Sequence, residues 1–95
     1  MDYRKRREEL IALIPSLKKK QDIAKAQKQL RDAEEHVANE LIREILLDPD
    51  WSRARLSQEL SITTTRIQNW MRPERKVPHK YFHALLKIHE IIGSM

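Results

Sequence analysis

Arg53-Ala54-Arg55-Leu56-Ser57-Gln58-Glu59-Leu60-Ser61-Ile62-Thr63-Thr64-Thr65-Arg66-Ile67-Gln68-Asn69-Trp70 carries the apolar spacing that decides the fold. Leu56 and Leu60, four apart, share one face of a helix predicted from Arg53 to Leu60. Ile67 and Trp70, three apart, share one face of a second helix, from Thr64 to Met71. Ser52 and Thr63 stand where an N-cap is needed, just before each helix. Ile62 and Ile67 flank Thr63 as a hydrophobic staple. Two short helices meeting at a steep angle need buried groups at such fixed places.

Outward from this pair, the rest also reads as helix. There is one glycine, Gly93, and no strand-like alternation. A first helix spans Tyr3 to Ile14 and stops at Pro15. Ser16 can cap a long second helix, from about Leu17 to Leu47, which Asp48-Pro49-Asp50 ends. Pro73 follows the Thr64–Met71 helix, Pro78 opens a last one, and Gly93 closes it. Within the last helix Tyr81, Leu85, Ile88 and Ile92 form one apolar stripe, and Phe82 with Leu86 a second. The expectation is an all-α chain, with a small multi-helix helix-turn-helix domain at 38–95 preceded by a long helical extension at 1–37.

The long helix changes character along its length. Ile23, Ala26, Leu30, Ala33 and Val37 follow the narrow 3-4 seam of a coiled coil. Leu41, Ile42, Ile45, Leu46 and Leu47 make a broader face, suited to a globular core. Charge is segregated as well. Residues 1–30 carry net +5, residues 31–50 net −5, and residues 51–95 net +5. Two copies of the seam running antiparallel would set basic ends against acidic ends, which favours a homodimer through those five residues. The rival is a hairpin within the chain, using Leu10, Leu13 and Ile14. A protein partner gripping residues 1–37 is a further expectation. Arg4-Lys5-Arg6-Arg7 reads equally as a flexible basic arm or a solvated helix end.

On the Thr64–Met71 helix the face left over by Ile67 and Trp70 is Thr64, Thr65, Gln68 and Asn69. These short hydrogen-bonding side chains suit base edges in a DNA major groove. A basic C-terminal half suits a polyanion. At this point the stretch resembles the helix-turn-helix of the lambda-repressor and Cro-like regulators of phages and bacteria, over about residues 40–92. The resemblance includes the sequel Met71-Arg72-Pro73-Glu74-Arg75-Lys76-Val77-Pro78, similar to that family's basic loop. It implies base contacts from Thr64, Thr65, Gln68 and Asn69. It implies phosphate contacts from Ser52, Arg53, Thr63, Arg66, Arg72, Arg75 and Lys76. Two positions depart from the family pattern, which usually has glycine where Ser61 stands and alanine where Ser57 stands.

Other chemistry finds no footing. The chain lacks cysteine, a glycine-rich phosphate loop and any marked nucleophile with a base, so no enzyme activity and no cofactor are expected. His79 and His83 are four apart, but no carboxylate stands at matching spacing, so no metal site is expected; His79 is placed near DNA phosphates and His83 at the core edge. No apolar run is long enough to span a membrane, and a cytoplasmic, nucleoid-associated location is the expectation. The function expected is a dimeric phage, plasmid or bacterial transcription regulator that acts by occupying double-stranded DNA. One alternative is DNA recognition for packaging, partition or replication of a mobile element. The other, from a different class, is a helical protein–protein assembly adaptor without DNA binding.

Overall fold

A computed structural model describes residues 2–94. The described chain is all-helical: α1 (Tyr3–Leu13), a 3-10 turn (Ile14–Ser16), α2 (Lys20–Ile45), α3 (Arg53–Leu60), α4 (Thr64–Trp70), a second 3-10 turn (His79–Tyr81) and α5 (Phe82–Gly93). No described helix is long and apolar enough to cross a membrane.

The core forms where α2 meets the C-terminal helices. Val37, Ala38, Leu41, Ile42 and Ile45 of α2 pack with Trp51, Leu56, Leu60, Ile67, Trp70, Val77, Phe82, Leu85 and Ile88. Each large aliphatic or aromatic group closed off in this way contributes about 1.5–3 kcal/mol. The apolar spacing from Leu56 to Trp70 therefore does what it predicts: all four residues face the core. Leu47 does not. It lies past the helix end and is 82% exposed, because α2 stops at Ile45 and the chain turns through Asp48–Asp50. There Asp48 Oδ1 accepts from the Asp50 amide at 2.8 Å.

Boundaries shift at the first corner. α2 begins at Lys20, and no side chain caps it. Ser16 closes the preceding turn instead, its hydroxyl donating to the Leu13 carbonyl at 2.7 Å. The last helix is also divided: Pro78 leads into a 3-10 turn, and the α-helix starts at Phe82.

The seam on α2 is covered from within the chain by α1, the hairpin that stands as the rival to intermolecular pairing. Ala26, Ala33 and Val37 are buried, Ile23 and Leu30 half-buried, and α1 folds back antiparallel along this helix. Leu10 supplies α1's one fully enclosed side chain, whereas Leu13 remains 46% exposed. The register of this hairpin sets basic residues of α1 against acidic residues of α2. Reversal at 14–19 sets Arg4 beside Glu40 and Glu44, and Arg7 beside Glu34. Tyr3 stacks on His36 with ring centroids 3.9 Å apart. The second stripe of α5 is explained by the same helix. Arg7 lies over the Phe82 ring at 5.0 Å, and α1 closes the groove containing Leu41, Phe82 and Leu86.

α2 is one unbroken helix of 26 residues, about 39 Å long. Its C-terminal half is core, and its N-terminal end, with the C-terminal end of α1, extends beyond it. The radius of gyration, 14.7 Å, exceeds the roughly 12–13 Å expected of a compact chain this size.

Candidate nucleic-acid interface

α3 and α4 are fixed by caps that the local sequence dictates. The Ser52 hydroxyl accepts from the Arg55 amide at 3.1 Å, and the Thr63 hydroxyl from the Arg66 amide at 3.2 Å. Between the helices, Ser61 adopts the left-handed conformation, with φ 56° and ψ 43°. The Ile62 amide donates to the Ser57 carbonyl at 3.0 Å and the Ser61 amide to the Gln58 carbonyl at 3.3 Å. This is the Schellman arrangement, which terminates a helix while satisfying its last carbonyls. A serine thus occupies the backbone position that favours glycine, at a cost of about 1–2 kcal/mol. Ser57 is buried, and its hydroxyl is satisfied by the Ala54 carbonyl at 2.7 Å.

With Ile67 and Trp70 buried, α4 presents Thr64, Thr65, Gln68 and Asn69 to solvent. Among the described residues none of these four side chains makes an internal hydrogen bond. Their donors and acceptors are open to a ligand. Arg53, Arg66, Arg72 and Arg75 are also exposed, and none is ion-paired among the described residues. Arg66 leans over the Trp70 ring at 5.3 Å, which orders its stem and leaves its guanidinium at the edge of α4.

Lys76 differs from the other basic residues. Its ammonium pairs with Asp32 at 3.0 Å. That hydrogen bond, the charge of Asp32 and then that of Glu35 hold the Lys76 pKa above its ordinary value. The ammonium is charged throughout the neutral range, but a carboxylate already occupies it.

The loop after α4 is tied to α2 by residues that the capping and apolar patterns do not mark. Asn39 is 1% exposed. Its amide donates to the Trp70 carbonyl at 2.5 Å and the Arg72 carbonyl at 2.7 Å, and its oxygen accepts from Arg43 Nε at 3.0 Å. Further along, the Val77 amide donates to the Glu35 carbonyl at 3.2 Å. The signal available was an asparagine inside the apolar run Val37-Ala38-Asn39-Glu40-Leu41-Ile42, since a polar group at such a place must be partnered.

The histidines fall elsewhere than expected. His79 faces the protein, with Nε2 2.8 Å from Glu34 Oε1. Glu34 is 7% exposed and also takes Arg7 Nε at 2.8 Å, so this one carboxylate joins α1, α2 and the turn before α5. His83 is exposed, edge-on to His79. Among the described residues no three His, Asp or Glu side chains converge as a metal cage.

These ion pairs change the meaning of the acidic middle segment. Asp32, Glu34, Glu40 and Glu44 are each engaged by a basic side chain of the same chain. Three cations from outside the segment, Arg4, Arg7 and Lys76, thus offset more than half of the −5 of residues 31–50, and Glu35, Asp48 and Asp50 have no ion-pair partner among the described residues. In comparisons with known proteins, no family model matches this chain, and no curated protein or solved structure matches it.

Proposed function

We propose that the chain binds double-stranded DNA selectively, as a regulator of the helix-turn-helix kind from a phage, plasmid or bacterium, with α4 entering the major groove. The observation that carries this reading is the row Thr64, Thr65, Gln68 and Asn69. It is an exposed set of hydrogen-bonding side chains with no internal partners, on a helix held at both ends. Polar side chains left open in this way match the donor and acceptor pattern of base edges. Arg53 and Arg66 beside the caps, and Arg72 and Arg75 after α4, supply sequence-independent attraction to phosphates. Ser52 and Thr63 cap their helices through side-chain oxygens, so their contribution to phosphate binding would come through the exposed helix N-termini. Lys76 would first have to exchange Asp32 for phosphate.

The mechanism is occupancy: bound protein excludes or recruits other factors at its site. Because α1 fills the α2 seam, the single copy is taken as the binding unit. Two copies would meet on a palindromic site, spaced by about one helical turn. Fluorescence anisotropy on a mixed-sequence duplex across a salt series tests the reading. Binding should weaken steeply with salt, at ~0.9 in the log–log slope per phosphate contact. Arg72→Gln with Arg75→Gln should make the slope shallower. Absence of duplex binding at low salt would reject DNA recognition and favour the assembly-adaptor reading.

A further inference from the structure

The chain leaving α4 does not wander. It runs along one line of α2, towards that helix's N-terminus. Asn39 holds the Trp70 and Arg72 carbonyls, Glu35 takes the Val77 amide, and Asp32 takes the Lys76 ammonium. Positions 39, 35 and 32 recur at 4-3 spacing, so they share one helix face. Continued in the same direction, the 4-3-4 pattern reaches Lys28, Lys25 and Gln21.

All three are exposed, and neither lysine is ion-paired among the described residues. They stand off the covered seam of Ala26, Ala33 and Val37, at its margin: Lys28 borders a cleft with Tyr3 and Arg6 of α1, and Lys25 one with Leu13 and Leu17. Of the two acids on this line, Asp32 is paired with Lys76, and Glu35 lies on the far side of Asp32 from the two lysines. The result is a stripe of free positive charge continuing the basic loop. Lys28 lies about 6 Å beyond Asp32 along the helix axis, and Lys25 about 10 Å. That distance corresponds to roughly three base-pair steps of B-DNA.

The geometry points to a second phosphate-binding track on α2, in which Lys28 and Lys25 grip the backbone of the same duplex beyond Arg72 and Arg75. This rests on the DNA-binding reading of α4 and extends it to the projecting hairpin. The hairpin thereby serves binding, since α1 stiffens α2 and leaves its lysine face open. Gln21 prolongs the line as an uncharged hydrogen-bonding group. Contacts of this kind position the protein and add affinity without reading sequence.

The test compares three proteins on a mixed-sequence duplex of about three helical turns, by anisotropy across a salt series. They are the full chain, Lys25→Gln/Lys28→Gln, and Lys5→Gln/Lys87→Gln, which removes the same charge from α1 and α5. The stripe variant should lower the log–log salt slope by about 1.8, at ~0.9 per lost phosphate contact, and weaken binding most at low salt. The α1/α5 variant should keep the parent slope. If the full chain binds and the stripe variant matches it, the track is wrong while the α4 reading stands. Equal losses in both variants would reduce the effect to net charge and overturn the track. If the full chain shows no duplex binding, the α4 reading and the track fall together. Circular dichroism of each variant confirms that these exposed substitutions leave the helices intact.

Discussion

Asn39 is the side chain on which the position of α4 most depends, and its replacement gives a graded test of the structure. In Asn39→Ala three hydrogen bonds disappear together. They are not equivalent. The Trp70 carbonyl is buried and has no other partner among the described residues, so it is left unsatisfied at about 1–3 kcal/mol. The Arg72 carbonyl still accepts from the Arg75 amide at 3.0 Å, and Arg43 is only half-buried and rehydrates. Those two losses together add roughly 1 kcal/mol. The expected total is about 2–4 kcal/mol, a large share of the ~5–10 kcal/mol available to a domain of this size. Asn39→Asp keeps the shape but turns a double donor into an acceptor facing two carbonyl oxygens. Burial and those carbonyls disfavour the carboxylate, while the half-exposed Arg43 guanidinium at 3.0 Å opposes them in part; with burial and two carbonyls against one screened charge, the pKa rises on folding. With a raised native value, the folded state holds the proton more tightly. Its stability is then greatest below the unfolded pKa of about 3.9, and falls as pH climbs from there to the native pKa. Urea unfolding followed through Trp51 and Trp70, both buried, reads the midpoint and its slope. Asn39→Ala should lose stability almost equally at pH 4 and pH 7, while Asn39→Asp loses more at pH 7. A loss under about 0.5 kcal/mol for Asn39→Ala, or no pH dependence for Asn39→Asp, would refute the role assigned to this side chain.

Three further outcomes follow from the same contacts. Ser61→Gly removes the left-handed strain of about 1–2 kcal/mol but adds unfolded-state freedom of about 0.5–1 kcal/mol. It should stabilise by roughly 0.5–1 kcal/mol and raise the Tm by a few degrees, and a fall in Tm would place the strain elsewhere. Asp32→Asn frees Lys76 and lets its pKa fall back towards the ordinary lysine value. Duplex affinity and salt slope should both rise, the slope by about 0.9; unchanged binding would show that Lys76 lies off the DNA path. Leu10→Ala should cost about 2–5 kcal/mol, as enclosed leucines do. By light scattering the parent chain without DNA should be a monomer, and a dimer that persists in Leu10→Ala would contradict the closed seam.

What the sequence disclosed and what it withheld divide by range. Ser52, Leu56, Leu60, Thr63, Ile67 and Trp70 were legible because capping and helix-face patterns act within a turn or two of the residue. The departure at Ser61 was legible too, and the structure shows a serine accepting the left-handed position rather than a reshaped turn. The pairing of the seam was not legible. Ile23, Ala26, Leu30, Ala33 and Val37 announce a partner helix, but the pattern is the same whether that helix belongs to another copy or to residues 3–13. Only the register, with Arg4 at Glu40 and Glu44 and Arg7 at Glu34, decides between them. Lys76, read as a phosphate ligand from its place in the basic loop, is held by an acid 44 positions away, beyond any local pattern. His79 is likewise turned inward by Glu34.

The central claim is that α4 reads base edges through Thr64, Thr65, Gln68 and Asn69. Selection of bound duplexes from a random library, run in parallel with the parent chain and Gln68→Ala/Asn69→Ala, tests it most directly. The parent should enrich one short motif. The variant should still bind duplex with a similar salt slope but enrich a relaxed motif or none, because each lost base contact removes about 1–3 kcal/mol of discrimination. Enrichment of the same motif by both proteins, or of none by the parent, would contradict the claim.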